Sequence, residues 1–164
     1  DWERKKQNLL GIWNVYAKQH MIDGPDHDQA TDYDTDGNYQ NLVEMTLYRD
    51  ILDGMRAMNF GDTFEVGDAW YQVYEEKRYH PPHNHGMGGL SMVVYIKYDE
   101  NDHLPTTFLS PFLSMKGGDV LEYIPEGVKE GSMILFPSAL PHYAPVNYSD
   151  NQRMILSANI DIDK

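Results

Sequence analysis

Apolar residues recur at helical steps in two stretches of the first third of the chain. Over residues 3 to 20, Leu9, Leu10, Trp13, Val15, Tyr16 and Ala17 stand among Lys, Arg and Gln and form one broad apolar face. Further on, Leu42, Val43, Met45, Leu47, Tyr48, Ile51, Leu52, Met55 and Met58 repeat at largely helical intervals, with Leu47, Ile51 and Met55 each four apart. The two patterns predict two helices. Residues 23 to 37 between them are acidic and rich in turn formers, including Gly24-Pro25, so the first helix should end before that segment. Beyond Gly61 the texture changes to short β-rich runs punctuated by Gly and Pro, at 69–74, 90–98, 120–124, 132–136 and 153–162. In the last run a period of two puts Arg153, Ile155, Ser157 and Asn159 on one face and Met154, Leu156, Ala158 and Ile160 on the other. Strand following strand with no helix between them predicts a mainly β fold, an antiparallel sandwich or barrel, with the N-terminal helices covering one outer face.

A length of 164 residues suits one domain with a real core, read as a helical support region over residues 1–60 and a β core over 61–164. A hydrophobic fraction of 41%, with 12% aromatic, is enough apolar surface to offset the entropy of ordering. The 13 Lys and Arg against 26 Asp and Glu leave a formal charge of -13, which repels phosphate backbones and anionic lipid, so no nucleic acid and no membrane partner is expected. No run of about 18 apolar residues occurs, and Asp1-Trp2-Glu3-Arg4-Lys5-Lys6 lacks the apolar stretch of a signal peptide; a cytoplasmic location is the expectation. Cysteine is absent, so any metal must rest on His, carboxylate or amide oxygen.

The segment His80-Pro81-Pro82-His83-Asn84-His85 sets His83 and His85 two apart, and on an extended strand residues i and i+2 point to the same side. A bare His-x-His is common on surface loops, so its context decides. His142 follows the apolar run ending at Phe136 and offers a third neutral nitrogen, which completes a facial set with open positions for substrate and oxygen. Arg153 lies 11 residues on (153 − 142) and faces into a mostly apolar barrel, where a guanidinium needs an anion. A carboxylate-bearing cosubstrate would serve, held bidentately with Ser157 assisting and Asn159 on the same face.

These residues resemble the 2-oxoglutarate/iron(II) oxygenases, in particular the prolyl-hydroxylase-like branch and a related bacterial and phage group. Tyr74 to His85 is similar to that family's approach to a His-x-Asp pair, with His85 where the Asp usually stands. Leu90 to Ile96 resembles its next strand, in which a Tyr often binds the distal carboxylate of 2-oxoglutarate; Tyr95 is the candidate. Gly117-Gly118-Asp119-Val120-Leu121 looks like its Gly-Gly turn, Gly131 to His142 like the strand and loop that deliver the last His, and Arg153 stands where the family has its cosubstrate-binding Arg. The likeness runs over about residues 70 to 160, with 59 residues (142 − 83) between the first and last His. It implies a double-stranded β-helix (a jelly-roll, cupin-like barrel), Fe(II) on His83, His85 and His142, and 2-oxoglutarate chelated to it, with Arg153, Tyr95, Ser157 and Asn159 as cosubstrate residues. The reaction implied is oxidation, of the hydroxylase type, of a small-molecule or peptidyl substrate entering over loops such as 103–107 and 143–151.

The departure at His85 removes one negative charge from the ligand set. The alternatives, ranked below His83, His85 and His142, are a carboxylate from Glu122 or Asp99 completing the sphere and His80 replacing either neighbour. Two other classes compete: a cupin-like three-His enzyme that does not use 2-oxoglutarate, and a non-catalytic jelly-roll module. A homodimer joined through exposed strand edges is compatible with such a barrel. Asp32-Tyr33-Asp34-Thr35-Asp36-Gly37 matches the opening of an EF-hand calcium loop, but the twelfth position is Val43 instead of Glu, which favours a solvated acidic loop.

Overall fold

The structure, a computed structural model, describes residues 1–23, 29–35 and 37–162. Helix α1 runs over Trp2–Val15 and is followed by one turn of 3-10 helix, Ala17–Gln19; helix α2 runs over Gly37–Ala57. The four-residue rhythm of α2 extends one step further back than Leu47. Val43, Leu47, Ile51 and Met55 are all buried and form the face laid on the sheet.

Ten strands among the described residues form two antiparallel sheets. They are β1 Met21–Asp23, β2 Thr31–Asp34, β3 Phe64–Tyr74, β4 His80–His83, β5 Leu90–Lys97, β6 Thr107–Leu113, β7 Val120–Tyr123, β8 Met133–Pro137, β9 His142–Ala144 and β10 Arg153–Ile162. The larger sheet has the order β1-β2-β3-β10-β5-β8 and the smaller one β4-β9-β6-β7. The first 60 residues thus contribute two strands as well as both helices. Asp32 and Asp34 lie on β2, extended against Gln72 and Trp70 of β3, where a calcium loop would curl. Asp36 of that motif, and the Gly24-Pro25 turn expected after the first helix, lie outside the described residues.

The alternation of β10 divides the core. Met154, Leu156, Ala158 and Ile160 face the helices together with Tyr71, Val73, Met92 and Val94. Ile155 faces the other way, packed with Tyr74, Val93, Tyr95 and Phe136 against Phe108 and Ala144 of the smaller sheet. One face of the larger sheet is therefore sealed by helices, and the other forms a wall of the space between the sheets. Register carries the pattern across strands. Ser157 pairs with Trp70 and Val93, Ile155 with Gln72 and Tyr95, and Arg153 with Tyr74, so all of these side chains project into that space. No helix among the described residues is long and apolar enough to cross a membrane.

Candidate metal centre

His83 and His142 are direct partners in the β4–β9 ladder. Pro81 and Pro82 hold the chain extended ahead of His83, and strand β4 occupies the edge of its sheet, where a strand tolerates proline. The ladder is irregular between His80 and His83, three residues on β4 against two on β9, so both imidazoles reach the interior despite their odd spacing. His85 lies just past the end of β4 rather than on it. Its backbone N–H donates to Ser138 O at 2.8 Å, which turns the ring back toward its partners. Gly89, closing the loop after His85, has φ +77°, and a Cβ there would stand 2.7 Å from Ile160 O, so the loop passes where only glycine fits.

One nitrogen from each of His83, His85 and His142 lies within 4.8 Å of the other two, and this is the one such group of potential metal ligands among the described residues. The hydrogen bonds settle which nitrogens are free. His83 Nδ1 is 2.7 Å from Pro81 O and His142 Nδ1 is 2.9 Å from Leu140 O. A carbonyl only accepts, so both Nδ1 atoms carry the proton and both Nε2 atoms present a lone pair. His142 Nε2 and His85 Nε2 are 3.2 Å apart. Two nitrogens at right angles on an ion, each bonded at about 2.1 Å, would be separated by about 3.0 Å, so this spacing fits adjacent positions on one metal. Burial, reinforced by His142 and His83, holds the His85 imidazole down to about 4. Burial also brings His142 to about 4, with the Leu140 bond acting in the opposite sense and His83 in the same one. Imidazoles that resist protonation remain available to a metal in mildly acidic solution.

His80 stands beside this trio, its ring 4.2 Å from that of His83, but its Nδ1 is engaged at 2.9 Å by Gln72 Nε2. It is not in the ligand trio. Asp99 and Glu122 are both exposed; Asp99 accepts from Asn101, and Glu122 accepts from the Tyr143 hydroxyl at 2.8 Å. Neither lines the cavity at the histidines. That cavity is walled by residues including Gln72, Tyr74, Ser91, Phe136, Ile155 and Ser157, with no Asp or Glu among them. The lining side chains leave a narrow cavity, and a five-carbon dicarboxylate would need them to shift.

Arg153 is buried and its guanidinium lies 4.2 Å from the centre of the Tyr74 ring. Two of its five N–H groups donate to backbone carbonyls at 2.7 Å, Nη1 to Leu104 and Nη2 to Pro145. Among the described residues no carboxylate forms an ion pair with it. The Tyr95 hydroxyl accepts the Thr106 N–H at 2.9 Å and keeps its own proton to donate. Ser157 and Asn159 are not brought to Arg153. They lie four and six residues along the same face, about 13 and 20 Å by strand rise; Ser157 donates to Gln72 Oε1 at 2.9 Å, and the Asn159 Oδ1 is buried without a hydrogen bond. The loops expected to admit substrate are pinned to each other: His103 Nε2 donates to Asn151 O, and Asn147 Nδ2 to Tyr74 O and Asn151 O. The freer end is the other one, where the loop after His85 exposes Met87 at 94%. Sequence reasoning missed Gln72, whose amide links Ser157 to His80; its inward position could have been found by period-two counting from Trp70.

No curated protein matches the chain in sequence. Among solved structures it is similar to the non-heme alpha ketoglutarate dependent carbocyclase SnoK from nogalamycin biosynthesis, with a TM-score of 0.69 at 13% identity, over 97% of this chain and 74% of that one. It is similar also to the viral collagen prolyl hydroxylase of Paramecium Bursaria Chlorella virus-1, with a TM-score of 0.61 at 14% identity, over 94% and 90%. HygX from Streptomyces hygroscopicus, solved with nickel, 2-oxoglutarate and hygromycin B bound, gives a TM-score of 0.66 at 9% identity, over 96% and 78%. At these identities the likeness shows the fold, the double-stranded β-helix. The family model for 2OG-Fe(II) oxygenases matches residues 68–159, more than half of the 164. The chain belongs to the 2OG-Fe(II) oxygenase family, whose metal is Fe(II) and whose cosubstrate is 2-oxoglutarate.

Proposed function

We propose that this chain hydroxylates a small-molecule or peptidyl substrate at a metal held by His83, His85 and His142. The observation that carries the reading is the pair of Nδ1–H bonds to Pro81 and Leu140 carbonyls, which aim two Nε2 lone pairs at a point His85 also reaches. Iron with 2-oxoglutarate supplies oxidising power: a substrate C–H, O2 and 2-oxoglutarate become the alcohol, succinate and CO2. The protein's own part is placement. Three neutral imidazoles leave the ion's double charge uncompensated, which favours a dianionic cosubstrate. Arg153, with three N–H groups left, and the Tyr95 hydroxyl are the donors for its distal carboxylate. Ser157 and Asn159 lie nearer the other end of the face, where they would meet the metal-side part of the cosubstrate or the substrate.

Two observations favour a second reading, a cupin-like three-His enzyme without the cosubstrate. Arg153 already serves two carbonyls, and the cavity at the histidines is narrow. The test is anaerobic titration of the Fe(II)-loaded protein with 2-oxoglutarate, followed by the weak visible charge-transfer band. A saturable band, absent in His142→Ala and weakened in Arg153→Ala, is expected. Bound iron without a band would replace the first reading by the second.

The helical and β portions form one domain in this reading. A homodimer is its assembly: β7, with Tyr123 at its end, is an edge strand exposed on both faces, next to exposed Phe112 and Leu113 of β6.

A further inference from the structure

Four imidazoles line the cavity, and only three present nitrogens close enough to share an ion. The fourth, His80, is fixed by a buried chain of hydrogen bonds. The Ser157 hydroxyl donates to Gln72 Oε1 at 2.9 Å, and the Gln72 amide N–H2 then faces His80 Nδ1 at 2.9 Å. Gln72 and Ser157 are 5% and 4% exposed, so water does not compete for these groups. An amide N–H2 only donates; His80 Nδ1 must therefore accept, and the proton of the neutral ring sits on Nε2. That nitrogen cannot bind a metal while protonated. It is a donor without a hydrogen-bond partner among the described residues, on a ring beside His83.

Among the described residues that line the same cavity there is no carboxylate. A divalent ion held by three neutral rings draws an anion into its open positions, and an anion there needs hydrogen-bond donors more than it needs further charge. We propose that His80 is the non-ligand donor of this metal centre, its Nε2–H meeting the anion bound to the metal, with Gln72 and Ser157 as positioning residues that hold its proton on Nε2. The inference rests on the metal reading given above, though not on the identity of the anion.

Azide on the Co(II)-loaded protein, followed by the visible spectrum, tests the donor without 2-oxoglutarate; anaerobic Fe(II) with 2-oxoglutarate repeats the test with the cosubstrate. His80→Ala should keep the Co(II) stoichiometry and lose about ten- to hundredfold in azide affinity, the size of a hydrogen bond to a charged group. His80→Gln, which returns an N–H at similar reach, should recover part of it. Gln72→Met keeps the length of the side chain without its N–H, so it frees the His80 proton to move to Nδ1 and should weaken azide binding when His80 is present while changing little in the His80→Ala background. A purely structural role predicts no such dependence on background. Loss of Co(II) stoichiometry in His80→Ala would make His80 a ligand, and unchanged azide affinity would remove its role as donor; either overturns the inference. Azide binding that depends on His80, with no 2-oxoglutarate band in the wild type, would sustain the donor and overturn the cosubstrate reading alone.

Discussion

His83 and His142 face each other across one rung of the β4–β9 ladder, their ring centres 4.4 Å apart. The candidate metal centre thus depends on backbone register: a slip of one residue on either strand would send one imidazole to the opposite face. Each ring is also locked by a carbonyl two residues before it. His83→Ala and His142→Ala should each abolish stoichiometric Co(II) binding, and with it the rise in melting temperature that the metal gives the parent protein. Metal titration followed by thermal unfolding checks this, and stoichiometric binding in either variant would contradict the assignment. His85→Asp, which restores a charge to the ligand set, should tighten Fe(II) binding.

Arg153 joins the loops at Leu104 and Pro145, which Arg153→Met would leave with two carbonyls lacking their donors. That loss should lower stability by about 2–4 kcal/mol in chemical denaturation. If the guanidinium also holds the cosubstrate, 2-oxoglutarate affinity should fall in Arg153→Lys as well, since a point charge replaces a fork. A stability loss with unchanged cosubstrate affinity would confine Arg153 to a structural role.

Burial first, and neighbouring imidazoles second, hold His80 and His85 down to about 4, and burial does the same to His142. In the unfolded chain these imidazoles take up protons below about 6.5. Between the two values the unfolded state binds more protons, so stability rises with pH across that window and is lost as pH falls from about 6.5 toward 4. Denaturant midpoints of the metal-free protein at pH 7, 6 and 5 should fall in that order. His85→Asn should flatten the slope, and a flat profile in the parent would refute the assignment.

Strand β7 offers its outer edge to solvent, and Val120, Leu121 and Tyr123 on it are 54%, 51% and 65% exposed. In a chain of formal charge -13, a weakly charged edge is where two copies repel least. Sedimentation should show a dimer whose population rises with concentration, and Leu121→Lys should leave a monomer with unchanged metal binding. A monomer at every concentration, or a dimer indifferent to Leu121→Lys, would remove this assembly.

Both helices and the five strands of strong β-branched or aromatic character were legible because period carries the signal, most clearly on β10, where the predicted split of faces matches the division of the core. Strand β4 was hidden because His80-Pro81-Pro82-His83 has neither alternation nor β-formers; its place is set by pairing with β9, itself three residues long. Strand β6 was hidden by Ser110-Pro111, where its ladder to β7 is irregular. The three histidines were legible from residue type and order. The contribution of Gln72 was not, since it depends on register between β3 and β10 and on the bulge that turns His80 inward.

The larger sheet has its ends in distant parts of the chain. Strand β10 sits in its middle, and the rung Arg153 to Tyr74 joins residues 79 apart (153 − 74). The entropy of closing so long a loop is lost before any of its contacts can form, which places this chain among slow folders. Until that loop closes, β3 and β5 lack the strand that lies between them. Until then the facing edges of β3 and β5 are unpaired, and unpaired edges with apolar surface are what aggregation acts on.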